Sequence, residues 1–166
     1  MEKKDLRSLT IEEMKELAES MGQKTFRGKQ LFEWIHKKQV ENLEEISNLP
    51  KAFLEPLKEN YMVSGVTLVK KQMSKAGDTA KYLFSLADGN LIESVWMKYH
   101  HGNSVCISSQ VGCRMGCTFC ASTLTGLTRS LTAGEMLSQI YEIQKVSVYP
   151  MLSLWEWANR LIIMTI

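Results

Sequence analysis

At 166 residues, 45% hydrophobic and 23% charged, the chain suits one ordinary domain, or a small domain joined to part of a larger one, and is too apolar for disorder. A formal net charge of +2 permits a nucleic-acid partner without demanding one. Residues 1–10 are charged and carry no apolar core, which argues against a signal peptide and for a cytoplasmic location, where four cysteines point to metal or catalysis rather than disulfides.

Helical patterning fills residues 1–61. Thr10 and Glu13 have capping-box spacing, and Met14, Leu17 and Met21 follow at helical period. A second helix is expected from about Arg27 through Leu31, Phe32, Trp34 and Ile35 to Lys38. A third starts at Pro50, whose fixed φ suits the first helical position, and carries Phe53, Leu54 and Leu57. Lys24, Arg27, Lys29, Lys37 and Lys38 then form either a phosphate-binding face or an ordinary solvated one.

From about residue 62 the apolar period shortens to that of strands. Residues 66–69, 82–86 and 91–95 read as strands divided by the turn sequences KAGD and ADGN, which predicts an antiparallel meander. Alternation in LIESV sets Ile92 and Ser94 on the opposite face from Glu93. A fourth strand, 104–109, leads into QVGCRMGCTFCAST, and a helix begins at Thr132, where Thr132 and Glu135 repeat the capping-box spacing.

The chemistry lies in that cysteine segment. Cys113, Cys117 and Cys120 are separated by three and then two residues, so one loop can fold three thiolates around a single inorganic centre. Structural zinc takes four ligands, and here a second cysteine pair is missing, so a zinc site needs His100 or His101 as its fourth. Iron–sulfur clusters usually take four cysteines as well; three would leave one iron open to another ligand.

This spacing, with Phe119 just before the last cysteine, resembles the radical S-adenosylmethionine superfamily. Together with DGNLIESV, FRGKQLFEWIHKK, ISNLPKAFLEPL and GNSVCISSQVGC, it resembles the RlmN/Cfr group of RNA adenosine methyltransferases, the RlmN branch most closely, over about residues 8–145. The resemblance implies an α/β fold: a small helical accessory RNA-binding domain at 1–61, then the start of a partial (β/α) radical-SAM barrel at 62–145. It implies a [4Fe–4S] cluster on Cys113, Cys117 and Cys120, with S-adenosyl-L-methionine on the open iron and reductive cleavage of that cofactor to a deoxyadenosyl radical. The implied reaction is methylation of adenosine C2 in 23S rRNA and tRNA, with an electron donor such as flavodoxin or ferredoxin. Cys106 matches the position of the family's resolving cysteine, and Glu93 that of a proton acceptor. Without the resemblance, Cys106 reads as a buried small hydrophobe and Glu93 as a solvent-facing strand residue.

Two family features are missing. No cysteine follows Cys120 to carry the methyl group, and the cofactor-binding Gly-Glu-Pro segment is absent, so the cofactor site is incomplete. In its place stands the oily YPMLSLWEWANRLIIMTI, too short for the roughly 20 apolar residues of a bilayer span and interrupted by Glu156, Asn159 and Arg160. If the gene is read from each codon's third base, Trp155 followed by Glu156 forces glycine, Trp157 followed by Ala158 forces glycine, and Met164 followed by Thr165 forces aspartate. With permitted wobble choices, residues 148–166 become RVSNVVVMGMGEPFDNYDN, the missing strand and motif. Residues 146–166 are therefore expected to be an out-of-frame tail, arising in a pseudogene product or from a sequencing error. Such a truncation is expected to leave an open sheet edge and the uncovered helix face of Met136, Leu137, Ile140 and Ile143, and the chain is expected to be inactive in methyl transfer. A second reading is a noncatalytic RNA- or metal-binding fragment.

Overall fold

The structure, a computed structural model, describes residues 3–100, 102–124 and 126–146 and the backbone of Ile163–Thr165. The chain divides into two compact units, Met1–Gly65 and Val66–Ile166, each around its own apolar core.

The first unit opens with strand β1 (Lys4–Asp5) and continues through helices α1 (Ile11–Ser20), α2 (Thr25–Phe32) and α3 (Lys51–Asn60) to strand β2 (Tyr61–Met62), which pairs with β1 in parallel. The capping box forms: the Glu13 amide donates to Thr10 Oγ1 at 3.2 Å, and the Thr10 amide to Glu13 Oε2 at 2.7 Å. The second helix is shorter than its apolar period suggests, because at Glu33 the backbone widens into a π-helical turn, Glu33–Lys37. Pro50 sits one place earlier than expected, as the N-cap with extended backbone rather than the first helical residue. Leu6, Met14, Leu31, Ile35, Phe53 and Leu57 are fully buried. Helices α1 and α2 cross at Gly28, where a Cβ would meet Met14 O and lie 2.6 Å from Lys15 Cα. Arg7 is buried; its guanidinium donates to Ser64 O at 2.5 Å and Val40 O at 2.9 Å and so holds the end of the unit to its start. The exposed basic residues include Lys24, Lys29, Lys37 and Lys38, whereas Arg27 is half-buried and donates to Gln30 Oε1 and Asn48 O.

In the second unit, strands β3 (Thr67–Met73), β4 (Thr79–Ser85), β5 (Leu91–Tyr99) and β6 (Gly102–Ile107) form the expected antiparallel meander in that order. The KAGD and ADGN turns each need a left-handed residue, supplied by Gly77 (φ 71°) and Gly89 (φ 81°). A short antiparallel pair follows, β7 (Gln110–Gly112) and β8 (Leu127–Ser130), with the cysteine segment between its strands. Helix α4 (Ala133–Val146) starts at the Thr132–Glu135 capping box and packs Ile140 and Ile143 into the cluster of Tyr82, Phe84, Trp96 and Val105. Its last carbonyl, Val146 O, accepts from Lys71 Nζ at 3.0 Å, a cation at the negative end of the helix dipole.

Two expected defects of a truncated barrel are corrected here. The apolar face of α4 is not left bare, because it lies on the sheet: Ile140 and Ile143 are buried and Met136 packs beside them. The edge of β6 is covered over Val105–Ile107. Strand β9 (Ile163–Thr165) pairs with it in parallel, Val105 to Ile163 through Ile107 to Thr165, so β6, α4 and β9 make one β–α–β unit. Those three residues belong to the segment expected to be out of frame; the rest of that segment past Val146 lies outside the described residues. Among the described residues no helix is long and apolar enough to cross a membrane.

Candidate functional site

Strand register decides which side chains share a face. Val95 faces Cys106 across β5 and β6, so Glu93, two residues back along β5, projects from the same face as Cys106. Trp96, Ser94 and Ile92 alternate to the other face, where Trp96 pairs with Val105 and α4 covers them. Glu93 and Cys106 therefore stand on the side of the sheet away from α4. Lys81, opposite Val95 on β4, joins them there and places Nζ 2.6 Å from Glu93 Oε1. The Glu93 carboxylate is half-exposed, whereas Cys106 is 9% exposed and burial pushes its thiol pKa above the ordinary value, keeping it protonated at neutral pH.

The end of β6 is fixed by a polar group that the sequence did not announce. Gln139 of α4 is fully buried, and its Oε1 accepts from Ser94 Oγ at 2.7 Å and from the Ser108 amide at 2.9 Å. Its Nε2 donates to Ser108 O at 2.9 Å. The Ser108 hydroxyl in turn donates to Glu93 O at 2.8 Å. A glutamine on the inward stripe between Met136 and Ile143 was the available signal, since a polar side chain there must find partners.

From Ser109 the chain enters β7 and reaches the cysteine loop at Gly112. Gly112 has φ 70°, and a Cβ on it would overlap Gly126 O, which accepts from the Cys113 amide at 3.1 Å. The loop thus leaves through a neck of two glycines, Gly112 and Gly126. Inside it, the Cys120 amide donates to Cys117 O at 3.2 Å, and Thr123 Oγ1 donates to Cys120 O at 2.9 Å and Cys117 O at 3.2 Å. Cys113, Cys117 and Cys120 are free, half-buried thiols. As a donor set, three free thiols on one short loop suit an iron–sulfur cluster. Their sulfurs are not gathered: among the described residues no group of three or more His, Cys, Asp or Glu side chains is placed to hold a metal ion. His100 follows β5 on an exposed turn, and His101 lies outside the described residues. Phe119 and Met115 of the loop project outward, 92% and 74% exposed.

The loop's second strand is anchored by Arg129, a further residue missed in sequence. Its guanidinium pairs bidentately with Glu135, Nη1 to Oε2 at 2.8 Å and Nη2 to Oε1 at 2.7 Å, and its Nε donates to Asp88 Oδ2 at 2.8 Å. Hydrogen bonds from Asn90 first, then Arg129, hold Asp88 down at a pKa of about 2. The bonds from Arg129 lower Glu135 as well, and the two carboxylates keep the guanidinium charged.

Comparison with known proteins bears on the family and the fold. Residues 4–63 match the family described as Ribosomal RNA large subunit methyltransferase N-terminal domain. A Lachnoclostridium phytofermentans protein named "Probable dual-specificity RNA methyltransferase RlmN" is 54% identical over 146 residues, covering 88% of this chain and 41% of the relative. A Staphylococcus saprophyticus protein of the same name is 50% identical over 144 residues, covering 87% of this chain and 39% of the relative. The crystal structure of a radical SAM methyltransferase from Sphaerobacter thermophilus superposes with a TM-score of 0.74 at 36% identity, over 86% of this chain and 42% of that one. The chain spans about two-fifths of the length of the relatives it matches. Its N-terminal helical unit, its sequence and its sheet-and-helix fold together make it a chain of the RlmN type.

Proposed function

We propose that this chain is the RNA-contacting and cluster-holding part of a radical-SAM methyltransferase that acts on C2 of adenosine in 23S rRNA and tRNA. The observation that carries the reading is the joining of two features: a loop with three free cysteines at the family spacing, and, on the strands that precede it in the chain, a sheet face bearing Glu93 and Cys106. Cys113, Cys117 and Cys120 would hold a [4Fe–4S] cluster, with S-adenosyl-L-methionine as its further ligand and a flavodoxin or ferredoxin as electron donor. When bound, that pair supplies a one-electron route to an electron-poor aromatic carbon that ordinary nucleophilic substitution does not reach.

The protein's own residues have separate tasks. Cys106, buried and held as a thiol, resolves a covalent protein–RNA link, and Glu93, a half-exposed carboxylate on the same face, accepts a proton; the burial of the one and the exposure of the other support these roles. Lys81, with Nζ 2.6 Å from Glu93 Oε1, orients that carboxylate until substrate arrives. The helical unit, with exposed Lys24, Lys29, Lys37 and Lys38, contacts the RNA backbone. The setting is the cytoplasm. Residues 62–145 form the beginning of the barrel, and residues 146–166 are read out of frame.

The test is anaerobic reconstitution of the purified chain with iron and sulfide. A brown protein with broad visible absorption and about four irons per chain, lost in Cys113→Ala, Cys117→Ala and Cys120→Ala, supports the reading. A colourless protein that instead takes up stoichiometric zinc overturns it in favour of a noncatalytic metal- and RNA-binding role.

A further inference from the structure

We propose that Gln139 is a positioning residue for the sheet face that carries Cys106 and Glu93. This rests on the reading of that face as the reaction site. Its carboxamide acts as a substitute peptide group: it meets the Ser108 amide with Oε1 at 2.9 Å and the Ser108 carbonyl with Nε2 at 2.9 Å, as a neighbouring strand residue would. Strand β6 ends at Ile107, so Gln139 continues its pairing one residue further, from a helix.

Three consequences converge on the site. Ser108 is the residue that continued register sets opposite Glu93, and its hydroxyl bonds the Glu93 carbonyl. Cys106 lies two residues before Ser108, on the same face. Ser109 comes next, and its carbonyl accepts from the Leu131 amide at 2.9 Å, so β7, and with it the neck of the cysteine loop, is aimed from this point. Gln139 Oε1 also holds Ser94, which flanks Glu93 on β5. One side chain of α4 thereby sets where β5, β6 and the departing loop stand relative to one another.

The chemistry calls for glutamine in particular. The group is fully buried beside Ile140 and Ile143, where an apolar residue would be the ordinary choice. A glutamate would keep the acceptor for Ser94 and Ser108 but oppose its second oxygen to the Ser108 carbonyl, unless it were protonated and donated in its turn. A methionine would fill the space and leave those polar groups without the carboxamide.

The experiment compares the full chain with Gln139→Met, Gln139→Glu and Ile143→Val, the last weakening the apolar packing of the same helix while leaving every hydrogen bond to Ser108 in place. Amide hydrogen exchange and peptide-resolved alkylation of Cys106 are read at several pH values, corrected for intrinsic rates. In Gln139→Met the Ser108 amide should exchange, and Cys106 alkylate, about tenfold faster while β4 amides stay protected. Gln139→Glu should behave likewise near neutral pH and recover protection at Ser108 as the pH falls and the carboxyl becomes a donor. Ile143→Val should raise exchange throughout the unit together. If both Gln139 variants follow the Ile143→Val pattern at matched stability, or Gln139→Glu shows no recovery at low pH, Gln139 is only a packing residue and the proposal fails. Neither readout needs cluster or methyl transfer, so failure of iron binding overturns the functional reading separately from the Gln139 result.

Discussion

Lowering the pH from about 7.5 to about 4 should remove about 3 kcal/mol from the stability of the Met1–Gly65 unit through a single side chain, His36. The imidazole is 8% exposed, with the Phe32 ring centroid 4.3 Å from its own. Burial is the larger cause that pulls its pKa down from 6.5 to about 4, the Arg7 charge acts in the same direction, and Asp5 and a hydrogen bond with Leu9 oppose both. An unfolded chain takes up this proton below about pH 6.5, whereas the folded one takes it up only near pH 4. Between those values the unfolded state binds more protons. Stability from this group is therefore fully present above pH 6.5 and is lost progressively as the pH falls toward 4. At about 1.4 kcal/mol per pH unit the interval amounts to about 3 kcal/mol, a large part of what a small domain has. The assay is urea unfolding followed by amide NMR of α1 and α3, in the natural chain and in His36→Gln, so that the contribution of carboxylates cancels in the difference. That difference should shrink or reverse by about 3 kcal/mol on acidification, and a direct NMR titration should place the imidazole midpoint near 4. A midpoint near 6.5, or a difference that does not change with pH, would refute the argument.

Two other substitutions test the packing within each unit. Gly28→Ala puts a methyl against Met14 O and Lys15 of α1, which are backbone and cannot swing aside, so the helices must part at a cost of about 3 kcal/mol; loss of the first unit's unfolding transition with the second intact would show it. Arg129→Lys keeps the charge but cannot reproduce the bidentate pair with Glu135 together with the Asp88 bond, and should lower the second unit's stability by about 1 kcal/mol in a denaturant titration at low salt.

Local signals carried the sequence reading where a few neighbouring residues decide the outcome. Thr10 with Glu13, Thr132 with Glu135, and the alternation that separates Glu93 from Ile92 and Ser94 all needed only near neighbours, and the structure contains each. What remained hidden depends on residues far apart. The backbone widening at Glu33–Lys37 has no local signature in an apolar run that continues through Trp34 and Ile35. The bond from Ser108 to Gln139 and the pair of Arg129 with Asp88 join segments that only the fold brings together. The sheet partner of β6 was missed for a related reason: pairing of Ile163–Thr165 follows from the return of α4 across the sheet, which no pattern within the tail reveals.

The glycine neck has a consequence for how a ligand would be gathered on the cysteine loop. Tying the ends of a flexible segment together is an entropic charge that a ligand must ordinarily overcome when it recruits distant donors. Here Gly112 and Gly126 already meet, and the Cys113 amide is bonded across the join, so the segment is closed before anything binds. Within that closed segment, Thr123 also ties Cys117 to Cys120 through their carbonyls. Drawing the three sulfurs inward then requires changes of local backbone and rotamer, about 1–2 kcal/mol for each residue newly ordered, and none of the cost of bringing the chain ends together. A bulkier residue at position 112 would impose that cost as well as its own strain, so Gly112 would favour binding of a cluster by this loop without supplying a ligand atom.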